Sequence, residues 1–142
     1  MSVYVLCGIP ASGKSTLSTQ LATEYNAKLH HFDEYPNSFH PEKYKEALYK
    51  MWSNVSQELK SGDNVICDNV HVTKEMRLDI LNAISSISCE KICVVLLTPF
   101  EECLKRNANR EARLPDFVLY DLYNKFELPT LDEGWDDIWY YK

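Results

Sequence analysis

Apolar and polar positions along this chain follow two rhythms, one of strand length and one of helical period, and the two take turns from end to end. Val3-Tyr4-Val5-Leu6-Cys7 is a continuous apolar run, the pattern of a strand buried on both faces. From Lys14 to about Tyr25, Leu17, Leu21 and Ala22 share one helical face. Ala27 to Phe32 reads as a second strand closing at Asp33-Glu34. Pro41 opens a helix as a first-turn proline does, and Tyr44, Leu48, Met51, Val55 and Leu59 then recur at helical spacing until Ser61-Gly62-Asp63. Val65-Ile66-Cys67 is a third strand ending at Asp68. Thr73 is a candidate N-cap for a helix through Met76, Ile80, Ile84 and Ile87, and Ile92 to Leu97 is a fourth, wholly apolar strand.

Beyond Thr98-Pro99 the pattern gives a charge-rich helix, the break Leu114-Pro115-Asp116, and a helix through Val118, Leu122 and Phe126. Asp137 to Tyr141 reads as a short last strand. This alternation predicts a single domain over residues 1–142, an α/β fold built as a three-layer α/β/α sandwich around a parallel sheet with right-handed crossovers. Ligands bind such sheets at the carboxyl ends of the strands. Gly8, Asp33, Asp68 and Thr98 each stand just past a strand end, so the fold brings them to one edge.

Gly8-Ile9-Pro10-Ala11-Ser12-Gly13-Lys14-Ser15-Thr16 reads G-x-x-x-x-G-K-S between a strand and a helix, the phosphate-cradling P-loop. Gly8, Ala11, Ser12, Gly13, Lys14, Ser15 and Thr16 are therefore expected to bind ATP. Backbone N–H groups face the phosphates, Lys14 reaches the β/γ-phosphates and the Ser15 hydroxyl ligates Mg²⁺. Asp33, beside the expected γ-phosphate, is placed to accept the proton of an attacking hydroxyl, or simply to cap a turn before Pro36. Asp68 ends an apolar strand as the second acidic motif of P-loop proteins does, holding Mg²⁺ or its waters, unless it is a plain turn aspartate. Arg106, Arg110 and Arg113 are four and three apart, which puts them on one helix face. They suit a lid over about residues 101–115 that closes on triphosphate, or else a solvated face with Glu101–Lys105 and Glu102–Arg106 pairs. His30 and His31 alternate in direction, His40 and His71 fall in loops, and no metal-ligand spacing emerges, so surface or packing roles are expected. Trp135, Trp139 and the tyrosines read as packing.

Charge narrows the partners. A net charge of −6 argues against gripping long nucleic acid along a broad positive stripe, so any basic contact is local. Cys7, Cys67, Cys89, Cys93 and Cys103 are an odd count with no C-x-x-C pair, as in a reduced cytoplasmic protein. No apolar stretch has the length of a membrane span, and the chain opens directly into the strand the P-loop needs, so neither a membrane nor a cleaved leader is expected. Composition fixes no oligomeric state.

Taken together, Gly8-x-Pro10-x-Ser12-Gly13-Lys14-Ser15-Thr16, Asp33-Glu34-Tyr35, Val65-Ile66-Cys67-Asp68-Asn69, Glu75, Arg77 and Lys105-Arg106-Asn107-x-x-Arg110 resemble the kinase domain of phage polynucleotide kinases. Phe126-Glu127-Leu128-Pro129 and Asp132-Glu133-Gly134 resemble stretches in the wider P-loop kinase group. The resemblance implies a 5′-hydroxyl kinase using ATP and Mg²⁺. On it, Asp33 matches the general base, and Lys14 and Ser15 the phosphate and metal contacts. Arg110 matches the lid arginine on the β/γ-phosphates, Arg106 the arginine near the adenine, and Asp68 an acidic residue lining the acceptor side. Two features depart from that family. Pro36-Asn37-Ser38 follows Tyr35 where an acceptor-binding arginine is common, with no lysine or arginine before Lys43, and residues 1–142 read as the kinase-like domain alone, without the phosphatase or ligase domain commonly fused to it. The expected acceptor is the 5′-hydroxyl end of DNA or RNA, with a nucleoside or other small hydroxylated metabolite as the alternative. A P-loop ATP-binding regulator without transfer is the reading from another class. Lys43, Lys45 and Lys50 either meet acceptor phosphates or are solvated.

Overall fold

Five parallel strands form one sheet in the order β2-β3-β1-β4-β5 in the computed structural model, which describes residues 1–142. They are β1 (Ser2–Cys7), β2 (Ala27–His31), β3 (Asn64–Asp68), β4 (Glu90–Leu96) and β5 (Asp137–Tyr141), and the helices are α1 (Lys14–Glu24), α2 (Tyr44–Lys60), α3 (Lys74–Ala83), α4 (Phe100–Ala108) and α5 (Asp116–Lys125). Val5 of the central strand pairs with Cys67 on one side and Cys93 on the other. The apolar runs are explained by this placement, because β1, β3 and β4 are covered on both faces.

Side chains of β1 divide between two cores by strand alternation. Val3, Val5 and Cys7 pack with Met51, Val55 and Leu59 of α2 and with Ile80 and Leu81 of α3. Tyr4 and Leu6 face the opposite way, with Ile66, Ile92, Val94 and Leu21 of α1. Burying each such aliphatic side chain contributes roughly 1.5–3 kcal/mol. A third cluster of Ile9, Val72, Cys103 and Leu119 seats α4 and α5 against the P-loop and the segment that follows β3. Trp135 is buried in the first core, and Trp139 packs against the rings of Tyr4 and Tyr25, so both tryptophans serve packing as expected. No helix is long and apolar enough to cross a membrane, and all five cysteines are free thiols.

Several boundaries move from their sequence positions for local reasons. Residues before Tyr44 form turns, with the Tyr44 amide bonded to the His40 carbonyl at 2.9 Å, so α2 starts three residues after Pro41. Its end is the expected glycine stop: Gly62 has φ +90°, its N–H bonds Leu59, and the Asp63 N–H bonds Glu58. Thr73 caps α3 by accepting from the Met76 amide at 3.2 Å, but the helix ends at Ala83, and Ile84 and Ile87 enter the core from the turn beyond. β2 ends at His31, and Phe32–Glu34 form a 3-10 turn, so Glu34 does not lie in extended chain. The shared arginine face is also corrected. α4 stops at Ala108, leaving Arg106 on the helix and Arg110 and Arg113 in the turns beyond it.

Candidate functional site

The loop between β1 and α1 is held open by backbone geometry rather than by side-chain caps. Ala11 and Gly13 adopt φ +65° and +99°, and no side chain caps the first turn of α1, so its leading N–H groups are left for a ligand. Gly8 leads in through a 2.9 Å bond from its N–H to the Val70 carbonyl, and a β-carbon there would meet Ser12 Oγ at 2.8 Å. The far side of the loop is tied to the segment that follows β4, where the Thr98 hydroxyl donates to the Ser12 carbonyl at 2.7 Å. The Ser12 hydroxyl itself is buried without a partner. Buried polar atoms are normally satisfied, so this one suits an oxygen-rich ligand in the loop.

Lys14 folds over the loop and donates to the Ile9 carbonyl at 3.0 Å. Burial is the main influence on its ammonium and lowers its pKa from the usual lysine value. The Asp68 carboxylate opposes that shift, as Asp33 does, while Arg110 adds to it. Ser15 Oγ donates to Asp68 Oδ2 at 3.4 Å, and Ser18 Oγ reaches the same oxygen at 3.3 Å. Ser15 and Asp68 thus form an adjacent pair of hard oxygen donors at the loop. A magnesium ion held by one or two such groups plus substrate phosphates suits this donor set. No cluster of three or more His, Cys, Asp or Glu side chains with metal-binding geometry is present.

Asp33 lies exposed in the turn after β2, and Ser38 Oγ donates to its carbonyl at 3.1 Å. On the opposite side, Arg106 Nε donates to Glu102 at 3.3 Å, one of the two expected helix pairs, while its Nη1 hangs over Gly13. Arg113 pairs with Asp116 at 3.5 Å. Arg110 follows the helix end, with its N–H on the Asn107 carbonyl. The turn carrying Arg110 is pinned by Asn107, which is fully buried: its side chain donates to the Leu114 carbonyl at 2.8 Å and accepts from the Leu114 amide at 3.1 Å. Thr16 sits exposed on the first turn of α1. Lys43, Lys45 and Lys50 are exposed on or beside α2.

Two groups to which the sequence assigned no role in the site stand out. His31 Nδ1 lies 2.6 Å from Asp68 Oδ2, inside the site rather than in a surface role. Arg77 is 0% exposed and makes a two-pronged pair with Glu133, at 2.9 and 3.1 Å, while its Nη1 donates to the His71 carbonyl. The only sequence signal for His31 is its position two residues ahead of Asp33, at the end of the strand that leads into that turn.

A family model described as the chromatin associated protein KTI12 matches residues 1–137. The chain is 25% identical to Protein kti12 of Schizosaccharomyces pombe, covering 96% of this chain and 55% of that protein. It is 27% identical to L-seryl-tRNA(Sec) kinase of Methanococcus maripaludis, covering 94% and 56%. The solved structure of Chaetomium thermophilum Kti12 in complex with ADP-AlF3 superposes with a TM-score of 0.77 at 18% identity, over 97% of this chain and 87% of that one. The chain spans about half the length of the curated relatives it matches. A polynucleotide phosphatase/kinase and an RNA kinase are among the further matches, so the P-loop kinase resemblance and the α/β fold both hold.

Proposed function

As the chain belongs to the KTI12 family of P-loop kinase-like proteins, we propose that it binds ATP with Mg²⁺ and transfers the γ-phosphoryl group to a hydroxyl acceptor. The observation that carries this reading is the arrangement around the loop that bears Lys14: Ser15 Oγ donates to Asp68 Oδ2 at 3.4 Å, Asp33 follows the strand paired with that of Asp68, and Arg110 follows α4 on the other side of β1. A nucleotide-holding loop needs the lysine and Asp68. It does not need an exposed carboxylate and an arginine on opposite sides of the lysine.

In this reading, Gly8, Ala11, Ser12, Gly13 and Thr16 contribute the phosphate cradle, and Lys14 neutralises the β/γ-oxygens. Ser15 and Asp68 hold Mg²⁺, which supplies further neutralisation of phosphate charge. Asp33 accepts the proton of the attacking hydroxyl, Arg110 spreads the charge of the transferring group, and Arg106 flanks the adenine over Gly13. Nucleic acid carries the acceptor hydroxyl, as a 5′-end or, as the name of the seryl-tRNA kinase suggests, an aminoacyl group on RNA. The cytoplasmic setting expected from the free cysteines belongs to the same proposal. A second reading, a P-loop ATP-binding regulator, is favoured by the description of the matching family as chromatin-associated.

The deciding experiment offers γ-labelled ATP to 5′-hydroxyl DNA and RNA oligomers, seryl-tRNA and a nucleoside panel. Label on a nucleic acid, lost by roughly 10²–10⁴-fold in Asp33→Asn with ATP affinity kept, is the expected result. Label confined to nucleosides would make this a metabolite kinase. Tight ATP binding with no labelled acceptor, and no effect of Asp33→Asn, would favour the regulator.

A further inference from the structure

His30 and His31 are adjacent, yet strand alternation sends their rings to opposite faces of β2. On one face, His31 Nδ1 meets Asp68 Oδ2 at 2.6 Å, the oxygen that also accepts from Ser15 and Ser18. On the other, His30 Nε2 meets the Glu58 carboxylate of α2, and His30 Nδ1 lies 2.7 Å from the Tyr35 hydroxyl. Asn54 Nδ2 of α2 donates to that hydroxyl at 3.1 Å. One order of donors satisfies this chain of groups: Asn54 donates to Tyr35, the Tyr35 O–H donates to His30 Nδ1, and His30 Nε2–H donates to Glu58.

These contacts bracket the turn that carries Asp33. β2 is an edge strand paired only with β3, and Asp33 follows it in a single exposed 3-10 turn. A turn at the margin of a sheet is mobile unless side chains hold it. Here His31 lies two residues before Asp33 and Tyr35 two residues after. The first is braced against Asp68 beneath the P-loop, the second against α2 through His30 and Asn54. Building on the phosphotransfer reading above, we propose that His30 and His31 are positioning residues that together hold Asp33 in register with the P-loop. Neither ring needs to touch the reacting atoms.

The test contrasts His31→Asn, whose amide nitrogen falls near the place of Nδ1 and keeps a donor to Asp68, with His31→Leu, which keeps bulk and removes the donor. Phosphoryl transfer by His31→Leu is expected to fall in kcat by roughly 10–100-fold, the size typical of groups that orient a site from behind. KM for ATP should stay within about twofold in the same assay, and His31→Asn should recover most of the lost rate. Tyr35→Phe is expected to lose kcat in the same sense. Amide hydrogen exchange gives a readout free of turnover: residues 32–38 should exchange faster in His31→Leu but not in His31→Asn, with residues 14–24 unchanged in the presence of ADP. Wild-type kcat together with wild-type exchange across 32–38 in His31→Leu would overturn the positioning role. So would a loss that appears wholly in KM for ATP. If exchange rises as expected while even the wild type transfers phosphate to nothing, the phosphotransfer reading fails and the bracing of the turn stands.

Discussion

Arg106 lies over Gly13: a β-carbon at position 13 would meet its Nη1 at 3.4 Å, on a backbone whose φ is +99°. The penalty on any other residue there comes from the backbone: the left-handed conformation costs roughly 1–2 kcal/mol for an L side chain, while a β-carbon would only come into van der Waals contact with the guanidinium. Gly13→Ala is expected to lower the melting temperature by a few degrees and to weaken ATP binding at least tenfold, as measured by titration with a fluorescent ATP analogue.

Asn107 and Arg110 give a paired prediction on the turn after α4. Arg110→Ala should reduce phosphoryl transfer by about 10²-fold or more if its charge acts on the transferring group. Arg113→Ala should leave the rate near wild type, because Arg113 is exposed and occupied with Asp116. Asn107→Ala removes both bonds to Leu114 and should copy part of the Arg110→Ala loss without changing ATP affinity. Steady-state kinetics with saturating ATP distinguish the three.

His71 is buried, has φ +42°, and bonds the Leu6 carbonyl through Nδ1 at 2.8 Å. Burial lowers its pKa to about 4, against an unfolded value near 6.5. Between those values the unfolded chain binds a proton that the folded chain does not, so stability is lost as pH falls from about 6.5 to 4. The loss attributable to this residue is about 3 kcal/mol. His71→Asn keeps a donor and tolerates the left-handed backbone, and should flatten that acid limb in urea unfolding followed across pH.

The Arg77–Glu133 pair joins α3 to the stretch before β5, with side chains 0% and 2% exposed. Glu133 also accepts from Trp135 Nε1 at 3.0 Å. Removing one partner strands a buried charge, so Glu133→Gln or Arg77→Met should cost about 3–5 kcal/mol in denaturant unfolding. The double variant Arg77→Met/Glu133→Gln should cost clearly less than the sum of the two, since no uncompensated charge remains.

The alternation of strands and helices, the P-loop, and the arrival of Gly8, Asp33, Asp68 and Thr98 at one sheet edge were all legible in the linear chain. They rest on local signals: apolar runs of strand length, a helical period, a threonine cap at Thr73, a glycine stop at Gly62. Where the sequence misled, a contact within the fold outweighed a local pattern. The spacing of Arg106, Arg110 and Arg113 fits a helix, but Asn107 bonds the backbone of Leu114 and ends the helix at Ala108. Other features had no local signal to read. His31 reaches Asp68 only because β2 pairs with β3 in a register that sets His31 opposite Asp68, and Arg77 finds Glu133 only because β5 returns beside β4. Strand order and register are settled by how the buried faces pack across the whole sheet. The sequence could therefore name the phosphate loop, while only the tertiary structure decided which side chains stand around it.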